Sequence, residues 1–134
     1  SWGVAARDRE LLAATVPHTQ LVAAGNASAL WAERKRLFFK PFAGYGAKAA
    51  YRGDKLTRRV WDGIVAGGYV AQAFVPPTER LAEVDGATAR LKFDLRAYVH
   101  AGRVQLLAAR LYSGQTTNMR TPGGGFAPVI ILGR

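Results

Sequence analysis

The stretch "LKFDLRAYVHAGRVQLLAARLY" (91–112) constrains the fold of this chain more than any other. Leu91, Phe93, Leu95, Ala97 and Val99 alternate with Lys92, Asp94, Arg96, Tyr98 and His100. A period of two puts the first set on one face of a strand and the second set on the other. "HAGR" reads as a turn and "VQLLAARLY" as the returning strand of an antiparallel hairpin.

The other elements are read around that hairpin. Asp8 is expected to cap a helix whose buried stripe is Leu11, Leu12, Thr15 and Val16, with Pro17 as its stop. "TQLV" is expected to be a short strand. Asn26 should cap a helix over "ASALWAER", with Leu30 and Trp31 inward. "RLFFK" and "KAAYR" read as a strand and its return around the loop 43–46. Asp54 is expected to cap the best helix, on which Leu56, Val60, Trp61, Ile64 and Val65 fall at helical spacing, and Gly67-Gly68 closes it. "YVAQAFV" reads as a buried strand ended by Pro76-Pro77, and "FAPVIIL" as a last strand. The expected fold class is α+β: short helices packed on antiparallel strands. The whole chain, 1–134, is expected to be one module of two small subdomains, a lid over about 30–75 and a second over about 78–134.

Composition narrows the possible roles. The chain has 134 residues, of which 49% are apolar and 10% aromatic, and this suits a folded domain rather than a disordered tail. It has no cysteine, which excludes disulfides and thiolate metal sites and fits a cytoplasmic location. No apolar run approaches the ~20 residues of a membrane helix, and "SWGVAARDRE" has no signal-peptide core. Nineteen basic residues against nine acidic ones leave a net charge of +10, which favours an anionic partner. The charge is spread along the chain. "ERKR" (33–36) and "TRR" (57–59) are the local clusters, and each by itself reads as a solvated face.

Three pieces could carry chemistry. The first is "FFKPFAGYGAK". Gly44 and Gly46 let backbone N–H groups approach a ligand closely, and Lys40 and Lys48 place positive charge at either end of the loop. It is neither a Walker loop nor a Rossmann fingerprint, and a plain hairpin turn would look the same. The second is "YVAQAFVPP", a strand running into an abrupt Pro-Pro, which reads either as a hinge or as an ordinary core strand. The third is the hairpin itself, with Asp94 and Arg96 on its polar face and Arg110 inside an apolar strand. Arg110 is costly to bury without an anionic partner. If Val99 pairs with Arg103, Arg110 shares the face of Asp94 and Arg96. If Val99 pairs with Val104, Arg110 turns to the other face.

These pieces, in this order, resemble the ATP-grasp superfamily. The matching features are "FFKP" with Lys40, "GYGAK", "YVAQAFV", "FDLRAYVHAG", "AARLY", Asn118 and "GGG", spanning about 30–129. "RLYSGQTTNMRTPGGGFAPV" looks most like the glutathionylspermidine-synthase-like and circularly permuted branches. The resemblance implies that Lys40 contacts ATP and that Gly44, Tyr45 and Gly46 form a lid over its phosphates, with Lys48 beside them. It implies that Gln72, Ala73, Phe74 and Val75 line the adenine pocket, and that Arg96 and Arg110 reach phosphate or an acyl phosphate. Asp94 and Asn118 would be the magnesium ligands.

Thr116 stands where the family often has a glutamate two residues before the asparagine, and no acidic residue follows Asp94. Magnesium needs hard oxygen ligands, so the remaining ones are expected on another segment of a longer polypeptide. The implied activity is ligation of a carboxylate substrate to an amine or thiol acceptor. The alternatives are a basic nucleic-acid-binding domain, against which the aromatics at apolar-face positions argue, and an interaction domain that kept the fold without its catalysis.

Overall fold

The computed structural model describes residues 3–44, 48–114 and 117–133. It is α+β, and the chain divides into two compact units at Val75/Pro76.

In the first unit, strands β1 (Thr19–Leu21), β2 (Leu37–Pro41), β3 (Tyr51–Arg52) and β4 (Tyr69–Ala73) form an antiparallel sheet in the order β1-β4-β2-β3. Helices α1 (Ala6–Thr15), α2 (Ala27–Glu33) and α3 (Arg58–Val65) belong to the same unit. The register pairs Leu37 with Ala73 and Phe39 with Ala71. Because strand side chains alternate, these residues share one face. Leu30 of α2 and Trp61 and Ile64 of α3 close over that face, joined by Val22. Phe39 is fully buried and meets Trp61 edge-on, with ring centroids 5.4 Å apart. Two further 3-10 turns, Arg34–Arg36 and Gly53–Lys55, pack on each other beside this core.

α3 has the expected apolar spacing, but Thr57 caps it, its hydroxyl accepting from the Val60 N–H at 3.3 Å. Asp54 instead lies in the Gly53–Lys55 turn and pairs with Arg52 at 3.0 Å. Asn26 does precede α2, but its side chain turns backwards: Oδ1 accepts from the Ala23 N–H and Nδ2 donates to the Leu21 carbonyl, each at 2.9 Å. The expected stripe of α1 is not buried. Leu11 and Leu12 are more than half exposed, and Asp8 sits inside the first turn rather than at the cap.

The second unit is a meander of four antiparallel strands: β5 (Thr78–Val84), β6 (Ala87–His100), β7 (Arg103–Tyr112) and β8 (Gly125–Pro128). β5 is absent from the reading of the sequence. Its connection to β6 is Asp85-Gly86, both at positive φ (51° and 78°), and Ala101-Gly102 joins β6 to β7 in the same way (48° and 74°). Such two-residue turns match the twist of the strands they join. Leu91, Ala108 and Tyr112 are buried here, whereas Leu95, Val99 and Leu106 stay more than half exposed. β8 ends at Pro128, so "FAPVIIL" is a strand only in its first part, and Ile130, Ile131 and Leu132 are exposed.

Candidate functional site

The uncovered face of the first sheet follows from the same registers. Thr19 of β1 pairs with Gln72 of β4, Gln72 with Phe38 of β2, and Phe38 with Arg52 of β3, so one rung crosses all four strands. Lys40 lies one step along β2 on that face, opposite Val70. Its ammonium donates to Gln72 Oε1 at 2.7 Å, and Gln72 Nε2 donates to Thr19 Oγ1 at 2.9 Å. The ammonium also lies 5.4 Å from the Phe38 ring centroid, and the Arg52 guanidinium carbon lies 4.7 Å from that of Phe74. Lys40 is exposed, and among the described residues it is not ion-paired with a carboxylate. A neutral amide fixes its position without cancelling its charge, and an anion can use that charge.

The pairing of β2 with β4 therefore brings Lys40 and Gln72 together. The loop after Pro41 begins with Phe42, whose N–H donates to the Gly68 carbonyl at 3.0 Å. Gly44 has φ 144°, a conformation that favours glycine. Tyr45 and Gly46 lie outside the described residues, and Lys48 sits in an exposed turn. At the end of β4, Ala73 N–H donates to the His18 carbonyl (2.8 Å) and Phe74 N–H to that of Arg36 (2.9 Å), while Val75 is exposed. Thr19, Phe38 and Arg52 have no place in the sequence-based site. Phe38 and Arg52 were legible as alternate positions of their strands, opposite Phe39 and Tyr51.

In the second unit, Asp94 pairs with Arg110 across β6 and β7. Neither simple register produces this. Val99 does pair with Val104, but the register shifts between Tyr98 and Val99, so Tyr98 faces Leu106. One extra residue on β7 returns Arg110 to the polar face. Its Nε and Nη2 donate to the two oxygens of Asp94 at 2.6 and 2.9 Å. Those hydrogen bonds push the Arg110 pKa above its ordinary value. The pair is only partly covered, at 25% and 34% side-chain exposure, so solvent screens it. In a double-mutant cycle with Asp94→Ala and Arg110→Ala, urea denaturation should give a coupling energy of about 1 kcal/mol. A value within error of zero would show that the fork adds nothing to stability. Arg96 faces Ala108 on the same side, exposed, its guanidinium carbon 5.9 Å from the Tyr98 ring centroid.

Asn118 organises the loop between β7 and β8. Its Oδ1 accepts from the Arg120 N–H at 3.1 Å, and its carbonyl accepts from the Thr121 hydroxyl at 3.0 Å. "GGG" serves the same loop. A Cβ on Gly123 would come within 2.6 Å of Val84 Cγ2, and one on Gly124 within 2.8 Å of the carbonyl oxygens of Met119 and Thr121.

The two residues assigned to magnesium thus already have partners: Asp94 uses both oxygens on Arg110, and the Asn118 side-chain oxygen holds a backbone N–H. Among the described residues no group of three or more His, Asp or Glu side chains is placed to hold a metal. The donor set present does not fit a magnesium site. Nor, among the described residues, is any helix long and apolar enough to cross a membrane.

Comparison of the chain with family models, with curated proteins and with solved structures returned no match.

Proposed function

We propose that the open sheet face of the first unit binds ATP, as the nucleotide-binding part of an ATP-grasp-like carboxylate–amine or carboxylate–thiol ligase. The observation that carries this reading is the Lys40–Gln72 contact of 2.7 Å, which holds an exposed ammonium beside β4 without a carboxylate partner among the described residues. Lys40 would hold the phosphate chain, and the loop from Phe42 onward would lie over it. The exposed backbone at Val75 would meet the adenine edge. Of the two arginines that the resemblance implies for phosphate, Arg110 already has its fork taken by Asp94.

The reaction class is a transfer in two steps. A carboxylate oxygen attacks the γ-phosphorus and ADP leaves; an amine or thiol then attacks the acyl carbon and phosphate leaves. Positioning and neutralisation of charge do most of the work in such chemistry, which suits a surface rich in Lys and Arg. The described residues offer no ligand set for the magnesium that such ligases use, and the acid and acceptor sites would lie outside this face.

Thermal unfolding with and without ATP tests the reading. Ligand at about a hundred times Kd should add about 2.7 kcal/mol to the parent. Lys40→Ala, an exposed change, should fold normally and lose that gain. An equal gain in parent and variant, or none in the parent, overturns the assignment.

A further inference from the structure

"ERKR" and "TRR" are far apart along the chain, but folding joins them around one indole. Trp31 of α2 has the guanidinium carbon of Arg34 4.0 Å from its ring centroid, and that of Arg58, the first residue of α3, also at 4.0 Å. The two guanidinium carbons therefore lie no further apart than twice that distance. Arg34 Nη1 also donates to the Trp31 carbonyl at 2.8 Å, which fixes the side chain on the ring. The turns Arg34–Arg36 and Gly53–Lys55 are packed together, so Lys35 and Lys55 lie on adjoining turns, and Arg59 follows Arg58 on α3. Of the nearby acids, Glu33 pairs with Arg36 at 3.6 Å and Asp54 with Arg52 at 3.0 Å, while Asp62, one turn along α3 from Arg58, makes no ion pair among the described residues. Among the described residues, neither Arg34 nor Arg58 is ion-paired.

Stacking on an indole stabilises a guanidinium and leaves its N–H edge free to meet an oxyanion. Two such edges, held close and without a carboxylate, fit the oxygens of two neighbouring phosphate groups. Lys35, Lys55 and Arg59, all exposed, extend the positive surface beyond the reach of one phosphate. A repeating polyanion uses that extent and a single small anion does not. The aromatic surface here is already covered: Trp31 carries the arginines, and Trp61, 5.4 Å from it, is buried. Bases therefore have no ring to stack on.

We propose that Arg34, Lys35, Lys55, Arg58 and Arg59 form a site for the phosphodiester backbone of nucleic acid that makes no sequence readout. The site lies on the helix-covered side of the first sheet, whereas Lys40 lies on the open side, so it stands independently of the ATP reading.

The test uses the whole chain and fluorescence anisotropy with a labelled mixed-sequence DNA duplex of about 20 base pairs, over about 50 to 200 mM salt. The parent should bind, with log K falling linearly against log salt. Arg34→Gln/Arg58→Gln should make that slope shallower by about 1.8, two phosphate contacts at about 0.9 each. Lys35→Gln/Arg59→Gln should do the same, and its residues lie outside the Trp31 stack, so it reads the site without disturbing the fold. Near-UV circular dichroism checks both variants. Lys40→Ala should keep the parent slope. The proposal is overturned if the parent fails to bind DNA at the lowest salt, or if both double variants keep the parent slope. Binding to phosphatidylserine vesicles without binding to DNA would assign the surface to a lipid headgroup and overturn it equally.

Discussion

Phe39→Ala is expected to lower the unfolding free energy of the first unit by about 3–5 kcal/mol, the range for emptying a packed aromatic site. Phe39 is fully buried, and its ring is held edge-on by Trp61 at 5.4 Å. Its neighbours across the sheet are Ala71, too small to fill the space left behind, and Tyr51, held in place by its own strand. Leu30 and Ile64 reach the site from helices, whose backbones cannot collapse onto the sheet without giving up their other contacts. Folded domains are stable by only about 5–15 kcal/mol in total, so this one change removes a large share. Trp31 and Trp61 both report on the same core, and urea denaturation followed by tryptophan fluorescence is a direct measurement. Phe38→Ala supplies the contrast. That ring lies one residue away but on the uncovered face, half-buried, and its loss should cost about 1 kcal/mol. Equal costs at the two positions would mean that the faces of β2 are assigned wrongly.

The alternation that separates Phe38 from Phe39 is a local property; in the sequence it was assigned for β6, while β2, β4 and β7 read as strands without assigned faces. The spacing of Val60, Trp61, Ile64 and Val65 was legible for the same reason. The start of α3 was not, because Asp54 and Thr57 are both competent caps and only the Gly53–Lys55 turn decides between them. α1 shows the opposite failure. Its apolar residues have helical spacing, yet spacing does not supply a surface to pack on. β5 was missed although Asp85-Gly86 is a strong hairpin signal, because "TERLAEV" carries three charges and reads as polar loop.

The candidate sites show where local reading stops. Whether Asp94 meets Arg110 depends on one irregular pairing at Tyr98/Val99, a property of two strands together. Sequence offered two regular registers, and in neither does Arg110 oppose Asp94. The same holds for Arg34 and Arg58. Each cluster alone looks like a solvated face, and only the packing of Trp31 between α2 and α3 makes them one surface. Lys40 was different: the lysine, the glycine loop and the returning strand are consecutive in the sequence, and the register of β4 adds Gln72 to them.

Gly53 and Gly63 should respond to alanine with opposite signs. At Gly53 an added Cβ would lie 1.8 Å from the Arg34 carbonyl oxygen, 2.6 Å from its carbon and 3.0 Å from the Leu37 carbonyl oxygen. All three are backbone atoms, so no side-chain rotation relieves the overlap. The chain needs glycine here because two 3-10 turns touch backbone to backbone, and not because of an unusual φ. Parting them strains the entry to β2 and the Trp31 stack, and Gly53→Ala is expected to cost about 3 kcal/mol. Gly63 lies on the exposed side of α3, where an added Cβ meets nothing within 4 Å. There the change removes backbone freedom from the unfolded chain and adds a good helix former, so Gly63→Ala should gain about 0.5–1 kcal/mol. Thermal unfolding of the two variants beside the parent is sufficient. The duplex-binding slope supplies a second readout for Gly53→Ala, since the same displacement carries Arg34 and Lys35 away from Arg58. If Gly53→Ala left both stability and salt slope unchanged, the two turns would not be in contact, and the joined basic surface would lose its structural basis.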